Sequence, residues 1–316
     1  MDTFEIRTDF RKGSEFHKRL KQIIGYDADV EKRLKRKKYM SLYDRYVPVK
    51  KKKRVDSVES DHHGDKTLDT IFLYLNKLHR SPQQKIFHKF MIASFLRIIY
   101  GKDFDIEKHR VMSKYQFETR KQQVLICAPR RMGKTFATAF IMIVVCIVIS
   151  GIEVSIFSPG KRQSVTLMGV IVRFITNLGE STRIVQRNEE KMQIRSLDGK
   201  ISKINAYPSA VRTLKGVSGT ICVLEEMAQI DPDVLFEVIV PLHQIDITSI
   251  IGISTITSEN NFMTKYLKQK DSHGEPVFAS KHIYLACEAC REANIPHKCN
   301  HNKHLLPAWS SERKRK

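Results

Sequence analysis

Lys134 and Thr135, preceded by Gly133, sit where an apolar strand pattern meets a long apolar helix pattern, in residues 124–135 (VLICAPRRMGKT). A cation and a hydroxyl at such a junction can hold a polyphosphate and a divalent ion. Amide donors at a helix N-terminus point outward, and the helix dipole adds positive potential there. The order of parts is that of a phosphate-binding loop running through Pro129, Arg130, Arg131, Met132 and Gly133. In such a loop Lys134 reaches the outer phosphates of ATP, and the Thr135 hydroxyl ligates Mg²⁺. The usual first glycine of the pattern is Ala128 here. A chance Gly-Lys-Thr triplet is the bland alternative, so a second motif has to decide.

That motif is residues 220–226 (TICVLEE). Ile221, Cys222, Val223 and Leu224 form a continuous apolar run, as in a strand buried on both faces, and it ends in two carboxylates. Ligands of open α/β sheets sit at the C-terminal ends of the strands. Glu225 is therefore expected to hold Mg²⁺, directly or through water. Glu226 is expected to orient and deprotonate the attacking water, a role that requires hydrogen-bond reach. An ordinary strand ending in two solvated glutamates is the competing reading of this segment alone.

A third strand pattern, residues 250–257 (IIGISTIT), ends in hydroxyls. Ser254, Thr255 and Thr257 would lie beside the carboxylates if the strands are neighbours, where a hydroxyl can sense a γ-phosphate; a Ser/Thr turn is equally compatible. Arg130 and Arg131 can touch the γ-phosphate, and Arg212 and Lys215 are candidates for charge compensation from this subunit or a neighbour, an electrostatic role. Ser158, Gly160, Lys161 and Arg162 suit either a DNA phosphate or a solvated turn. Gln83 and Gln84 precede the core, and a glutamine amide can read an adenine edge because it both donates and accepts.

Near the C-terminus, Cys287, Cys290, Cys299 and His301 follow the spacing C-x2-C-x8-C-x-H. Three thiolates and an imidazole suit a tetrahedral, structural Zn²⁺ site, with all four positions filled by protein. His297 and His304 are alternate ligands, and free cysteines in a reducing compartment are the other reading.

These groups need a scaffold. Between residues 124 and 256 strand and helix patterns alternate, which argues for a mainly parallel sheet with helices on both faces. Strands are expected over 153–157, 183–185, 191–195, 201–205, 221–224 and 249–254, with 183–185, 191–195 and 201–205 as a possible antiparallel insertion. Helices are expected over 161–178 and 232–240. Upstream, a helix over 82–100 begins with Ser81 as N-cap and Pro82 in its first turn. Residues 1–65 read as a basic arm with some helix near 15–34 and a loop near 57–65. Residues 66–280 read as the nucleotide-binding domain, and 281–316 as a zinc module with a basic tail.

The chain has 316 residues, is 41% hydrophobic and carries a formal charge of +21, of which residues 1–54 hold 18 Lys/Arg against 8 Asp/Glu. Such an excess suits a polyanionic partner such as DNA or RNA. The most apolar run, residues 139–152, is about 14 residues against the roughly 20 that a membrane-spanning helix needs, so no membrane role is expected. No signal peptide is visible, and Cys127, Cys146 and Cys222 fall in core patterns that need no disulfide. The run Lys50, Lys51, Lys52, Lys53 and Arg54 fits a nuclear localisation signal or a nucleic-acid contact.

Taken together, the motif from Ala128 to Thr135, the acidic strand ending at Glu226 and the Ser254-Thr255 pair resemble the ATPase half of a viral DNA-packaging terminase large subunit. The resemblance covers about residues 80–310 and leans toward the herpesvirus-like branch of large double-stranded DNA viruses, with a core shared with tailed-phage terminases. Thr213, Leu214, Lys215 and Gly216 look like that branch too. The resemblance implies a RecA-like ASCE P-loop ATPase that drives double-stranded DNA into a capsid as a homo-oligomeric ring, docked on a portal protein and working with other terminase subunits. With the basic run Lys50–Arg54, the expected location is the host nucleus or a viral assembly site. Such subunits usually add a C-terminal nuclease, and no room for one is expected before Lys316. A helicase-like remodeller, or a non-catalytic DNA-binding protein with a degenerate nucleotide fold, are the alternatives.

Overall fold

The computed structural model describes residues 63–208, 219–230, 248–255, 262–271, 274–294, 299 and 301. The expected basic arm, the helices near 15–34 and 232–240, both terminal basic runs, and Arg212, Lys215, Thr257, His297 and His304 lie outside them.

Among the described residues, four α-helices precede the sheet: α1 (His63–Asn76), α2 (Pro82–Ser94), α3 (Leu96–Tyr100) and α4 (Phe104–Tyr115). The loop expected through Asp65 is therefore already helical at His63. Contacts at Asp65 hold that turn in place: its carboxylate accepts from Arg110 Nη1 at 2.8 Å and from Lys114 Nζ at 2.7 Å, lashing α1 to α4. The single helix expected over 82–100 is two. At the break, the Ser94 carbonyl accepts from the Ser249 hydroxyl at 2.6 Å, and the Phe95 amide bonds back only three residues, to Ile92. A carbonyl claimed from outside the helix is one way a helix ends.

Eight strands follow in one sheet: β1 (Gln123–Cys127), β2 (Glu153–Ser158), β3 (Ile184–Arg187), β4 (Lys191–Arg195), β5 (Ile201–Pro208), β6 (Ile221–Glu225), β7 (Ser249–Ser254) and β8 (Ala279–His282). Their spatial order is β3-β4-β5-β2-β6-β7-β1-β8. From β5 to β8 all neighbours are parallel, and only the β3–β4 and β4–β5 pairs are antiparallel. The antiparallel strands are thus an edge of the main sheet rather than an insertion apart from it. The central strands β6 and β7 are buried at every position, as continuous apolar runs should be.

Side chains alternate between two cores. Val124, Ile126, Ile221, Val223, Ile251 and Ile253 face the larger one, under α1, α2, α5 (Lys134–Val148) and α6 (Lys161–Asn177). Leu125, Cys127, Cys222, Leu224 and Ile250 face the smaller one, with Met227, Met263 and Phe278; there a 3₁₀ turn, Met227–Gln229, and α7 (Phe262–Lys268) cover the sheet. Helix α5 shows how tertiary burial overrides propensity. Its last turns are rich in Val and Ile, poor helix formers, yet nearly every residue is buried, as fits a helix that is apolar all round. Among the described residues, no helix is long and apolar enough to cross a membrane.

Candidate active site

The parallel strands end together on one edge, and that edge gathers the candidate residues. Cys127 of β1 pairs with Ser254 of β7, and Glu225 of β6 pairs with Ile253. The acidic strand β6 neighbours β7, as the placing of Ser254 and Thr255 beside the carboxylates requires, and does not pair with β1. Strand β7 lies between β6 and β1, which brings Thr255 within reach of Lys134.

The loop after β1 is pinned at its first residue. The Ala128 amide donates to the Ser254 carbonyl at 3.0 Å, and the Thr255 hydroxyl donates to the Ala128 carbonyl at 3.1 Å. Met132 is fully buried and anchors the middle. Arg131 and Gly133 are both left-handed, with φ of 68° and 86°, and turn the chain back into α5. Ala128 is not left-handed and its side chain packs in the core, so this loop has no need of glycine there. Pro129 is half-buried. Arg130 and Arg131 are exposed and form no ion pair among the described residues.

Lys134, 7% exposed, is the meeting point: its Nζ donates to Thr255 Oγ1 at 2.8 Å and lies 3.3 Å from Glu226 Oε1. Glu226 ends β6 in the left-handed region at φ 48°, ψ 47°. A non-glycine residue held there stores about 1–3 kcal/mol of strain, a feature that clusters at functional sites. The turn aims the Glu226 carboxylate at Lys134, while the Ser254 hydroxyl approaches its other oxygen at 3.5 Å.

Glu225 points inward and is 4% exposed. Burial pushes its carboxyl upward from the ordinary carboxylate value; the Thr135 hydroxyl pulls it back, Glu226 adds to the rise, and Lys134 and Ser158 oppose it. Hydroxyl and carboxylate oxygens side by side are the hard donor set that Mg²⁺ takes, so Thr135 and Glu225 fit that ion. Ser158 belongs here as well. Phe157 pairs with Leu224 across β2 and β6, so Ser158 continues beside Glu225 rather than reaching outward to DNA. Only the strand register reveals that role.

The raised Glu225 carboxyl fixes the sign of a pH dependence. A carboxyl whose folded pKa is raised favours the protonated folded state, so stability falls as pH rises from the unfolded value, about 4.3, to the folded one, and stays lost above it. Glu225→Gln should therefore raise the melting temperature of the protein without added nucleotide at neutral pH and flatten its dependence on pH within that range. Thermal melts of both proteins across mildly acidic to neutral pH test this; an unchanged or lower melting temperature for the variant at neutral pH would contradict it.

Helix α2 supports the loop from behind. Ser81 and Gln84 form a reciprocal cap: the Gln84 amide donates to Ser81 Oγ at 3.2 Å, and the Ser81 amide to Gln84 Oε1 at 3.0 Å. The Gln84 carbonyl oxygen, a candidate for reading adenine, is thus engaged in the cap; S-x-x-Q is a known signature of that arrangement. His88 is fully buried and pushed down to about 3, first by burial and then by Arg80. The neutral ring donates from Nε2 to the Ala137 carbonyl at 2.9 Å and accepts from Arg80 Nη1 at 3.2 Å, tying α2 to the first turn of α5.

At the other edge, β8 pairs with β1, and the Ile283 amide donates to the Cys127 carbonyl at 2.8 Å. The boundary expected at 280/281 falls inside this strand. Beyond it, the ligand atoms of Cys287, Cys290, Cys299 and His301 all lie within 4.8 Å of one another. Tetrahedral Zn–S and Zn–N bonds of about 2.0–2.3 Å separate ligand atoms by about 3.3–3.8 Å, so the Cys3His set fits a small metal-binding module. Cys127, Cys146 and Cys222 are free and buried.

No protein-family model matches the chain, and no curated protein matches it. Among solved structures, the HK97 bacteriophage large terminase matches with a TM-score of 0.54 and 15% identity, over 80% of this chain and 50% of that one. The chain shares the fold of a viral large-terminase ATPase domain. The Thermus phage P74-26 large terminase ATPase domain is more distant in shape, with a TM-score of 0.45 and 17% identity, over 54% of this chain and 78% of that one. A large terminase from a thermophilic bacteriophage gives 0.45 and 11%, over 60% of this chain and 48% of that one. The chain thus spans about half the length of the HK97 terminase and of this last one, and the terminase-like match concerns their fold.

Proposed function

We propose that this chain is the ATPase part of a viral DNA-packaging motor, a terminase large subunit that couples ATP hydrolysis to movement of double-stranded DNA into a capsid. The observation that carries the reading is the convergence of Lys134, Glu226 and Thr255 in one crevice at the ends of three parallel strands. A loop lysine, a general base and a hydroxyl on the intervening strand are the parts that hydrolysis and its coupling require. The terminase-like fold adds support.

In this reading the phosphate loop from Pro129 to Thr135 wraps the triphosphate, with Lys134 on its outer oxygens and Arg130 or Arg131 beside the γ-phosphate. Thr135 and Glu225 would hold Mg²⁺, which neutralises phosphate charge when bound. Glu226 accepts the proton of the attacking water. The phosphate draws Lys134 away from Glu226 and Thr255; that frees the base and tells β7 that nucleotide is present. Ser254 and Thr255 then carry the change along the strand. Arg212 and Lys215 complete the charge balance, from this subunit or a neighbour in a homo-oligomeric ring. The positive charge of +21 favours the duplex backbone. Portal protein and other terminase subunits are the partners of such a motor, working in the host nucleus or at a viral assembly site. The Cys3His module takes Zn²⁺ as a structural ion.

The test is ATP turnover by the purified chain with and without duplex DNA. Duplex should raise the rate, and the stimulation should fall steeply with added salt, because each phosphate contact releases counterions. Turnover that ignores duplex at every salt concentration would remove the packaging reading.

A further inference from the structure

A hydrogen bond joins the approach to the Cys3His module to helix α2. The Tyr284 carbonyl, which precedes Cys287 by a single short step of chain, accepts from Gln83 Nε2 at 2.6 Å. Gln83 lies in the first turn of α2, whose N-terminus is closed by the Ser81–Gln84 cap. The same helix reaches the phosphate-loop helix through His88 and the Ala137 carbonyl. On the module side, Arg291 of α8 (Glu288–Glu292) stacks over the Tyr284 ring at 5.4 Å, and the Cys287 amide donates to Cys299 Sγ at 3.2 Å. On either side of Tyr284, Ile283 and Leu285 are buried in the main core.

We propose that metal in the Cys287, Cys290, Cys299 and His301 site strengthens nucleotide binding by holding the Tyr284 carbonyl against Gln83, so that zinc occupancy sets the affinity of the site for ATP. This rests on the ATPase reading above. The ion fixes Cys287 and Cys290, and so fixes the short helix that begins between them. Arg291 on that helix holds the Tyr284 ring, and the Tyr284 carbonyl positions Gln83 and the start of α2. Without metal, four ligands lose their common partner, the segment after Leu285 gains freedom, and Arg291 no longer holds the Tyr284 ring in place. The hydrogen bond to Gln83 then has to be formed at an entropic cost. One neutral hydrogen bond contributes about 0.5–1.5 kcal/mol, so its loss should weaken nucleotide binding by about three- to tenfold.

The experiment uses the full chain. Metal content is measured by inductively coupled plasma mass spectrometry, and affinity by the fluorescence of mant-ATP in the presence of Mg²⁺. Zinc is then stripped with phenanthroline, the chelator is dialysed away, and Zn²⁺ is returned. The expected result is one zinc per chain, a mant-ATP affinity weaker by about three- to tenfold after stripping, and recovery on return of Zn²⁺. Gln83→Ala should keep its zinc, show the same weakening, and lose all further sensitivity to stripping, because the two changes break one contact. Absence of zinc would overturn the proposal. So would zinc whose removal leaves affinity unchanged in a chain of unchanged far-ultraviolet circular dichroism, or additive effects of Gln83→Ala and stripping. If stripping unfolds the chain, Gln83→Ala decides alone: zinc-loaded variant with wild-type affinity overturns the coupling. A zinc-loaded wild-type chain that binds no mant-ATP rejects the ATPase reading itself, and the coupling falls with it.

Discussion

Glu226→Gln is expected to bind ATP and hold it unhydrolysed. Among the described residues, its carboxylate is the candidate base beside Lys134 with enough exposure to admit a water. Glu226 is 30% exposed at its side chain, while Glu225 is 4% exposed and engaged with Thr135. A general base contributes about 10²- to 10⁴-fold, so turnover should fall by that range. Affinity should move the other way or stay unchanged. Lys134 is shared between Glu226 at 3.3 Å and Thr255 at 2.8 Å, and removing the negative charge leaves the lysine freer for phosphate. Rapid-quench hydrolysis together with mant-ATP titration reads both quantities. Turnover at the wild-type rate would move the base elsewhere, and Glu225 would be the next residue to test.

Lys134→Met should lose binding and turnover together. The methionine keeps much of the length of the stem, which fits a side chain only 7% exposed, but removes the charge that faces the outer phosphates. Loss of one such electrostatic contact lowers turnover by about 10²- to 10³-fold. Affinity for the triphosphate should fall more than affinity for the diphosphate, since the lysine serves the outer phosphates. The contrast with Glu226→Gln is the informative part. One variant separates binding from chemistry and the other does not. Equal loss of ATP and ADP affinity would indicate damage to the loop as a whole, and unchanged turnover would remove Lys134 from the site.

Much of the scaffold is legible locally. Strand β4 runs over Lys191–Arg195 and β7 over Ser249–Ser254, at the bounds their apolar patterns indicate. Helix α2 starts where Ser81 and Pro82 place it, since caps are local chemistry. The departures from the local pattern come from contacts between distant residues. Helix α2 ends early because Ser249, far along the chain, donates to the Ser94 carbonyl. Strand β8 carries no strong alternation of apolar residues and is not apparent in the sequence; its polar residues suit a sheet edge. Gln84 offers two local readings, adenine contact or cap, and the S-x-x-Q spacing is the signal for the second.

By itself the amino-acid order determined the strand–loop–helix junction that ends in Gly133-Lys134-Thr135, the two strand ends that bear carboxylates and hydroxyls, and the grouping of Cys287, Cys290, Cys299 and His301 near the C-terminus. Each of these is written within a short run of consecutive residues, at the range over which backbone preference and ligand spacing act. The tertiary structure alone decided that β7 separates β1 from β6, that Lys134 therefore meets Thr255 as well as Glu226, that Ser158 stands beside Glu225, and that Gln83 of α2 meets the Tyr284 carbonyl just before the Cys3His cluster. Strand order and register come from burying both faces of the sheet at once. That is a property of the whole chain's packing, and no short stretch of residues encodes it.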